Sequence, residues 1–479
     1  MLINFHPFIF IRIFRIKHKN FGNNLALKSI SMLKAKVLSY FYLNPNVMQK
    51  KYQAYTLQNL NSLPQIKQLP QAVQFELQVV GQIYPFRTNN YVVEELINWD
   101  NALTDPFFTL TFPTKGMLTP AHYEQMASVI RENASKAEID IVANQIRLQL
   151  NPHPAGQIEY NIPYLEGNLL NGVQHKYRET VLFFPSQGQT CHAYCSFCFR
   201  WPQFVGISDF KMASREVDAL IQYVSQHPEV SDILLTGGDP LIMKTKILAT
   251  YIDALLDANL PHLKTIRIGT KALSYWPYRF TSDADAEALL ALFTKVAQKN
   301  KHLAFMAHFN HPRELKTDAV REAIRRIRAT GAQIRTQSPL LAHINAQPEI
   351  WADMWKVQTE LGCIPYYMFL SRDTGAQHYF GVPLFRAWEI FKNAYKNVTG
   401  LARTVRGPCM STTPGKVQIL GVGQIKGEKV LVMQFLQARN PQWVRQPFFA
   451  KYNEKATWLD ELQPFGDENF FFDKEIDSC

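Results

Sequence analysis

No run of eighteen or more uninterrupted apolar residues occurs in the 479-residue chain, so no membrane-spanning helix is expected. Cysteine is scarce, with six in the whole sequence, which is too few for a disulfide scaffold at this length. Three of the six fall within eight residues, and Cys363, Cys409 and Cys479 are scattered, which fits a reducing, cytoplasmic setting. Internal repeats and low-complexity tracts are absent. Acidic residues are missing altogether from positions 1–47, where Arg12, Arg15, Lys17, Lys19, Lys28, Lys34 and Lys36 supply seven of the eleven excess positive charges. The net charge of +11 is therefore concentrated in one arm and does not mark a nucleic-acid-binding surface. That arm reads either as a basic, transit-peptide-like extension or as sequence ahead of a true start at Met48. Arg12 and Arg15 interrupt its apolar run and argue against a signal peptide.

What is present is a large apolar fraction, 47%, with 19% charged residues, enough for a sizeable core and two or three domains. Residues 48–170 are rich in Gln, Asn and Pro, with helical patches around 120–135 and no motif with evident chemistry. From about 178 to 400, short β-rich runs alternate with longer amphipathic stretches. The runs are Thr180–Phe184, Asp232–Leu235, Thr265–Ile268, Leu303–Ala307, Gln333–Arg335 and Ile364–Phe369. Helical patterns lie near 213–227, 244–258, 283–299, 315–330, 347–361 and 384–397. Six strand–helix units in succession imply parallel strands joined by crossovers. A doubly wound sheet satisfies that pattern too. A barrel is favoured because each run is followed by polar or reactive groups, as at the mouth of a parallel barrel. Residues 401–479 add strand-like Lys416–Gly421 and Lys429–Phe435 and an aromatic tail. The predicted organisation is a basic extension (1–47), a helical region (48–170), a barrel (171–400) and a C-terminal segment (401–479).

The strongest chemical feature is Cys191-His-Ala-Tyr-Cys195-Ser-Phe-Cys198, directly after the first β-run. Three thiolates on one short loop suit three irons of a cubane and leave the fourth open for substrate chemistry. Zinc is the competing reading, but a closed structural zinc site needs a fourth ligand, for which His192 is the nearby candidate. The Cys-x3-Cys-x2-Cys spacing in this position resembles the radical S-adenosylmethionine (SAM) superfamily. The resemblance implies a [4Fe–4S] cluster whose open iron holds SAM, giving a 5′-deoxyadenosyl radical that abstracts a substrate hydrogen. It implies an α/β fold, a partial (β/α)6 barrel of radical SAM type, with the helical N-terminal region and a small C-terminal α+β segment. Leu235-Thr-Gly237-Gly238-Asp239-Pro240 looks like the superfamily's glycine motif, in which backbone approaches the SAM amino group.

Further stretches occur in order: His175-Lys176-Tyr177, Cys198-Phe-Arg200, Ile266-Arg-Ile-Gly269, His308-Phe-Asn-His-Pro312, Gln337-Ser338 and Pro365-Tyr-Tyr367. Together they resemble the lysine 2,3-aminomutase family over roughly 170–420. That resemblance implies an isomerase moving an α-amino group from C2 to C3 of a small amino acid. It implies pyridoxal 5′-phosphate (PLP) held by a lysine, and an electron donor of flavodoxin or ferredoxin type. Lys416 in Ser411-Thr-Thr-Pro414-Gly415-Lys416 corresponds to the PLP lysine, although three glycines of the family loop are missing. Arg200 corresponds to the group that pairs with the substrate α-carboxylate, a task suited to a planar guanidinium. Lys176, Tyr177 and Lys271 match positions near the PLP phosphate, and His308 and Gln337 match SAM contacts at strand ends.

Two aspartates bind the side-chain ammonium in the lysine enzymes. Ungapped counting puts Arg372 at the first position, with Asp373 one step on, and Cys409 at the second. Arg372 would disfavour lysine and suit an acidic substrate such as glutamate, whereas a one-residue shift to Asp373 reopens a cationic one. Only Cys479 follows Cys409, so the family's C-terminal zinc cysteines have no counterpart and no zinc is expected there; homo-oligomeric assembly is left open. Two alternatives stay in view: a radical SAM enzyme without PLP acting on another substrate, such as a lysine within a protein, and a non-catalytic metal-binding module associated with RNA.

Overall fold

An eleven-stranded sheet carries the architecture. In chain order its strands are β1 (Val173–Tyr177), β2 (Thr180–Phe183), β3 (Asp232–Leu235), β4 (Thr265–Thr270), β5 (His302–His308) and β6 (Gln333–Leu340). Then follow β7 (Ile364–Leu370), β8 (Arg406–Ser411), β9 (Gly415–Ile425), β10 (Glu428–Ala438) and β11 (Pro447–Lys451). The computed structural model describes residues 50–151, 160–206 and 212–476. The basic extension 1–47, the alternative start Met48 and Cys479 lie outside the described residues. Contacts divide the chain into Met1–Lys51 and a compact unit, Tyr52–Cys479, which holds the whole sheet and its helices.

Strand order in the sheet follows chain order from β1 to β11 without reversal. Strands β2 to β8 pair in parallel, each with the next. The doubly wound alternative is excluded, because that arrangement reverses its order at a switch point and this sheet has none. The six expected runs are β2 to β7, and the helices between them are Val217–Ser225, Thr245–Asp257, Ala286–Gln298, Asp318–Ala329 and Pro348–Glu360, with Leu384–Lys396 after β7. Three strands of the sheet were not anticipated, β11 (Pro447–Lys451) among them. Arg406–Ser411 is a seventh parallel strand, hidden in the sequence by its Gly-Pro step. His175-Lys176-Tyr177 lies on β1, an antiparallel edge strand, where the sequence suggested only a segment before the first strand.

Side-chain alternation explains why these segments are strands. In β3 and β4 the buried residues Ile233, Leu235, Ile266 and Ile268 alternate with Leu234 and Arg267, which face an internal cavity. One face of the sheet packs on the helices while the other encloses the site. The sheet curls far enough that Lys176 on β1 donates a hydrogen bond to the carbonyl of Thr412, in the turn after β8.

The stretch before the sheet is more helical than the sequence suggested. It holds Gln71–Ile83, Pro120–Arg131 and Lys136–Gln149. The last two begin on recognisable signals: Thr119 accepts from the His122 N–H ahead of Pro120, and Ser135 with Glu138 forms a reciprocal capping box. Among the described residues no helix is long and apolar enough to cross a membrane.

Candidate active site

The loop after β2 carries Cys191, Cys195 and Cys198, all half-buried and none in a disulfide. Loss of hydration raises all three thiols, Cys195 to about 12, and the thiols reinforce one another: Cys195 and Cys198 both push Cys191 upward. Cys195 Sγ lies 3.9 Å from the Tyr275 hydroxyl. No group of three or more His, Cys, Asp or Glu side chains among the described residues is gathered to hold a metal ion. His192, the proposed fourth zinc ligand, is buried, and burial lowers its pKa to about 3, so it is neutral.

The glycine pair brings two loops into contact. A Cβ on Gly238 would lie 2.4 Å from the Thr190 carbonyl oxygen and 2.5 Å from its nitrogen. Gly237 has φ +145°, and a Cβ there would lie 2.3 Å from Gln189 Nε2. The pair therefore lets the loop after β3 lie directly against the cysteine loop. Asp239 completes the joint: its N–H donates to the Gly188 and Thr190 carbonyls, and its carboxylate accepts from Leu241 N, Lys271 N and Thr270 Oγ1. Burial raises the Asp239 carboxyl to about 6 despite these donors. None of these three residues lines the cavity.

The cavity itself has a volume of about 290 Å³. Of the residues singled out from the sequence it gathers Lys176, Tyr177, Arg200 and Arg372 with His308, Gln337 and Lys416. The cysteine loop reaches it through Phe197, Phe199 and Arg200. Lys416 opens β9 after a tight turn in which Thr412 N donates to the Gly415 carbonyl at 2.9 Å. Gly415 is needed there because a Cβ would lie 2.4 Å from the Gln437 carbonyl oxygen. The Lys416 ammonium donates to Gln437 Oε1 at 2.9 Å and sits 4.3 Å from the centre of the Tyr367 ring. Lys176 is held well below its ordinary pKa by burial, then by Arg372, Arg439 and Lys416. His308 faces Phe197 at 5.5 Å, and its buried Nε2 has no hydrogen-bond partner. Burial keeps that imidazole neutral, with Lys271 adding to the effect.

Lys271 and Asp373 are not among the lining residues. The Lys271 ammonium donates to Glu314 at 2.8 Å and to Asn310 at 2.8 Å, and Glu314 is fully buried. Asp373 lies beside Arg372, Nε to Oδ1 3.5 Å. Cys409 is buried on β8 and does not line the cavity either.

Three contributors came from the stretch judged to carry no chemistry. Tyr52 Oη donates to the His192 carbonyl at 2.7 Å, and Asn89 Nδ2 donates to the same oxygen at 3.1 Å. Arg87 Nη1 donates to Thr190 Oγ1 at 2.7 Å, and its own carbonyl accepts from Tyr194 N at 2.8 Å. These contacts clamp the cysteine loop. Isolated polar residues that act on a backbone carbonyl leave no spacing signature.

No family model matches the chain. Among curated proteins, one described as "Putative L-lysine 2,3-aminomutase" from Aquifex aeolicus is 31% identical over 396 residues, covering 83% of this chain and 92% of that protein. The L-lysine 2,3-aminomutase of Acetoanaerobium sticklandii is 27% identical over 56% of this chain and 59% of its own length. That of Clostridium subterminale is 28% identical over 50% of this chain and 53% of its own length. A solved structure, Streptococcus suis SuiB, covers 56% of this chain and 55% of its own at 12% identity and a TM-score of 0.32, too slight a likeness to bear on the fold. Near-complete coverage of the Aquifex relative at that identity settles the affiliation: this chain belongs to the lysine 2,3-aminomutase family.

Proposed function

We propose that this protein is a radical SAM, PLP-dependent amino acid 2,3-aminomutase, and that its curled sheet is a partial barrel whose interior is the active site. The observation that carries the reading is the meeting, at one cavity, of a three-cysteine loop with a wall of cations that includes a buried-edge lysine. Cys191, Cys195 and Cys198 would hold the [4Fe–4S] cluster. Their spacing on one short, clamped loop suits such a cluster. Lys176 and Lys416 line the same cavity, where an anionic phosphate would find basic partners, so the cavity also suits PLP. When bound, the cluster with SAM supplies a hydrogen-abstracting 5′-deoxyadenosyl radical, and PLP supplies a carrier for the migrating amine.

The chain's own residues then have distinct work. Lys416, fixed over Tyr367 and by Gln437, offers its ε-amine to the aldehyde of PLP. Arg200 orients the substrate α-carboxylate. His308, at the end of β5, and Gln337, within β6, would offer neutral hydrogen-bonding groups toward SAM. Phe197 and Phe199 exclude water from the space between the cysteine loop and Lys416. An electron from a flavodoxin- or ferredoxin-type donor in a reducing, cytoplasmic compartment completes the scheme.

The test is anaerobic reconstitution with iron, sulfide, PLP and SAM, followed by reductant and a panel of amino acids. Release of 5′-deoxyadenosine together with β-amino products is the expected outcome. A protein that binds the cluster but never cleaves SAM ends the proposal. Visible-edge absorbance of bound PLP that survives Lys416→Ala removes the PLP part alone.

A further inference from the structure

Among the described residues, five basic side chains line the cavity, namely Lys176, Arg200, Arg267, Arg372 and Lys416, and no Asp or Glu does. Arg267 is neutralised from behind by Asp232, at 2.5 Å. Lys176 and Lys416 belong to the cofactor end in the proposed PLP-dependent function, on which this inference rests. That leaves two guanidiniums. Arg200 Nη1 is buried without a hydrogen-bond partner. Arg372 has a single acidic neighbour, Asp373, at the loose separation of 3.5 Å. Both guanidiniums flank the same ring, their central carbons 5.2 and 5.1 Å from the centre of Phe199.

An amino acid with one carboxylate satisfies one guanidinium and leaves the other desolvated and unpaired, a costly state. A substrate with a side-chain ammonium is worse placed: it would enter a cavity whose wall offers it cations and no carboxylate. We infer that the substrate is a dicarboxylic amino acid, Arg200 facing one carboxylate and Arg372 the other across Phe199. Arg372 is thus the residue that selects the side chain.

The experiment measures binding, not turnover. Protein reconstituted anaerobically with cluster, PLP and SAM, but without reductant, is dialysed against labelled L-glutamate, L-aspartate, L-glutamine and L-lysine. Glutamate or aspartate is expected to bind at least about tenfold more tightly than glutamine or lysine. Arg372→Gln is expected to weaken the acid to the level of glutamine with retained PLP unchanged, and Arg372→Lys to restore part of the preference. Lysine binding as tightly as the acids overturns the inference. So does glutamate binding no better than glutamine, loss of PLP in Arg372→Gln, or no amino-acid binding at all. Should Arg372→Gln not fold, the glutamate–glutamine comparison on the unaltered protein still decides. Adding reductant separates the two readings. Acid-selective binding without 5′-deoxyadenosine sinks the radical reading and leaves this one standing; SAM cleavage with lysine as the turned-over substrate does the reverse.

Discussion

The two ends of the cavity are held by opposite means. At the cysteine end the backbone is packed against backbone: Gly238 on Thr190, Asp239 N–H on the Gly188 and Thr190 carbonyls, Asn89 and Tyr52 on the His192 carbonyl. At the cation end, Lys176, Arg200, Arg372 and Lys416 come from four separate segments and mostly lack counter-charges. The backbone groups of the first end are paired within the protein, and it has little tolerance for added atoms. The second is left electrostatically incomplete, which is the condition of a site built to receive anions. Rigidity serves to place a reactive centre, whereas incompleteness serves to bind.

The sharpest way to break this contrast is Gly238→Ala. The added methyl collides with backbone, which cannot rotate away, so the cysteine loop must move. Near-complete loss of bound iron after reconstitution is expected, measured as iron per chain; full retention would show that the loop tolerates displacement. Lys416→Ala, at the other end, is expected to abolish PLP retention and activity while iron content and thermal midpoint stay nearly unchanged, because the cation end is not what holds the fold. Next in size comes the Lys271–Glu314 pair, the one place near the site where a buried lysine is fully matched. Glu314→Ala leaves that ammonium unpaired and is expected to cost about 3–5 kcal/mol in denaturant unfolding. Asn89→Ala removes the side-chain donor to the Tyr275 carbonyl, leaves the His192 carbonyl to Tyr52, and is expected to cost about 1–3 kcal/mol.

The smallest expected effect is on pH. His175 on β1 is held below its ordinary pKa chiefly by burial, its Nδ1 2.7 Å from the Tyr223 hydroxyl. The unfolded chain therefore takes up a proton near pH 6.5 that the folded one resists. Stability contributed by neutral His175 is present above that pH and is lost as pH falls from about 6.5 toward the folded value, with a slope below about 1.4 kcal/mol per pH unit. Urea unfolding at about pH 7 and about pH 5.5, on either side of the free histidine value, should show a smaller difference in His175→Gln than in the parent. An equal difference would assign the pH effect elsewhere.

Much of the parallel sheet was readable because its strands repeat a period of two and its crossover helices a period near 3.6. β3 came out with the expected bounds, and β4 to β7 began within a residue of theirs. Strands β1 and β8 were not readable: one is polar at the sheet edge, the other is broken by Gly407-Pro408, and both exist because a neighbour supplies the pairing. The glycine pair was visible, but its reason was not, since the atoms it accommodates belong to Thr190.

The cysteine spacing and the strand–helix rhythm are local properties, written in residues close together in the chain, and the sequence alone determined them. Charge balance is not local. Lys176 and the Thr412 carbonyl that receives it are 236 residues apart, and only folding decides that Asp232 neutralises Arg267, that Glu314 withdraws Lys271, and that Arg200 Nη1 finds no hydrogen-bond partner among the described residues. Coulomb interactions depend on separation in space and on burial, and both are set by the curl of the sheet.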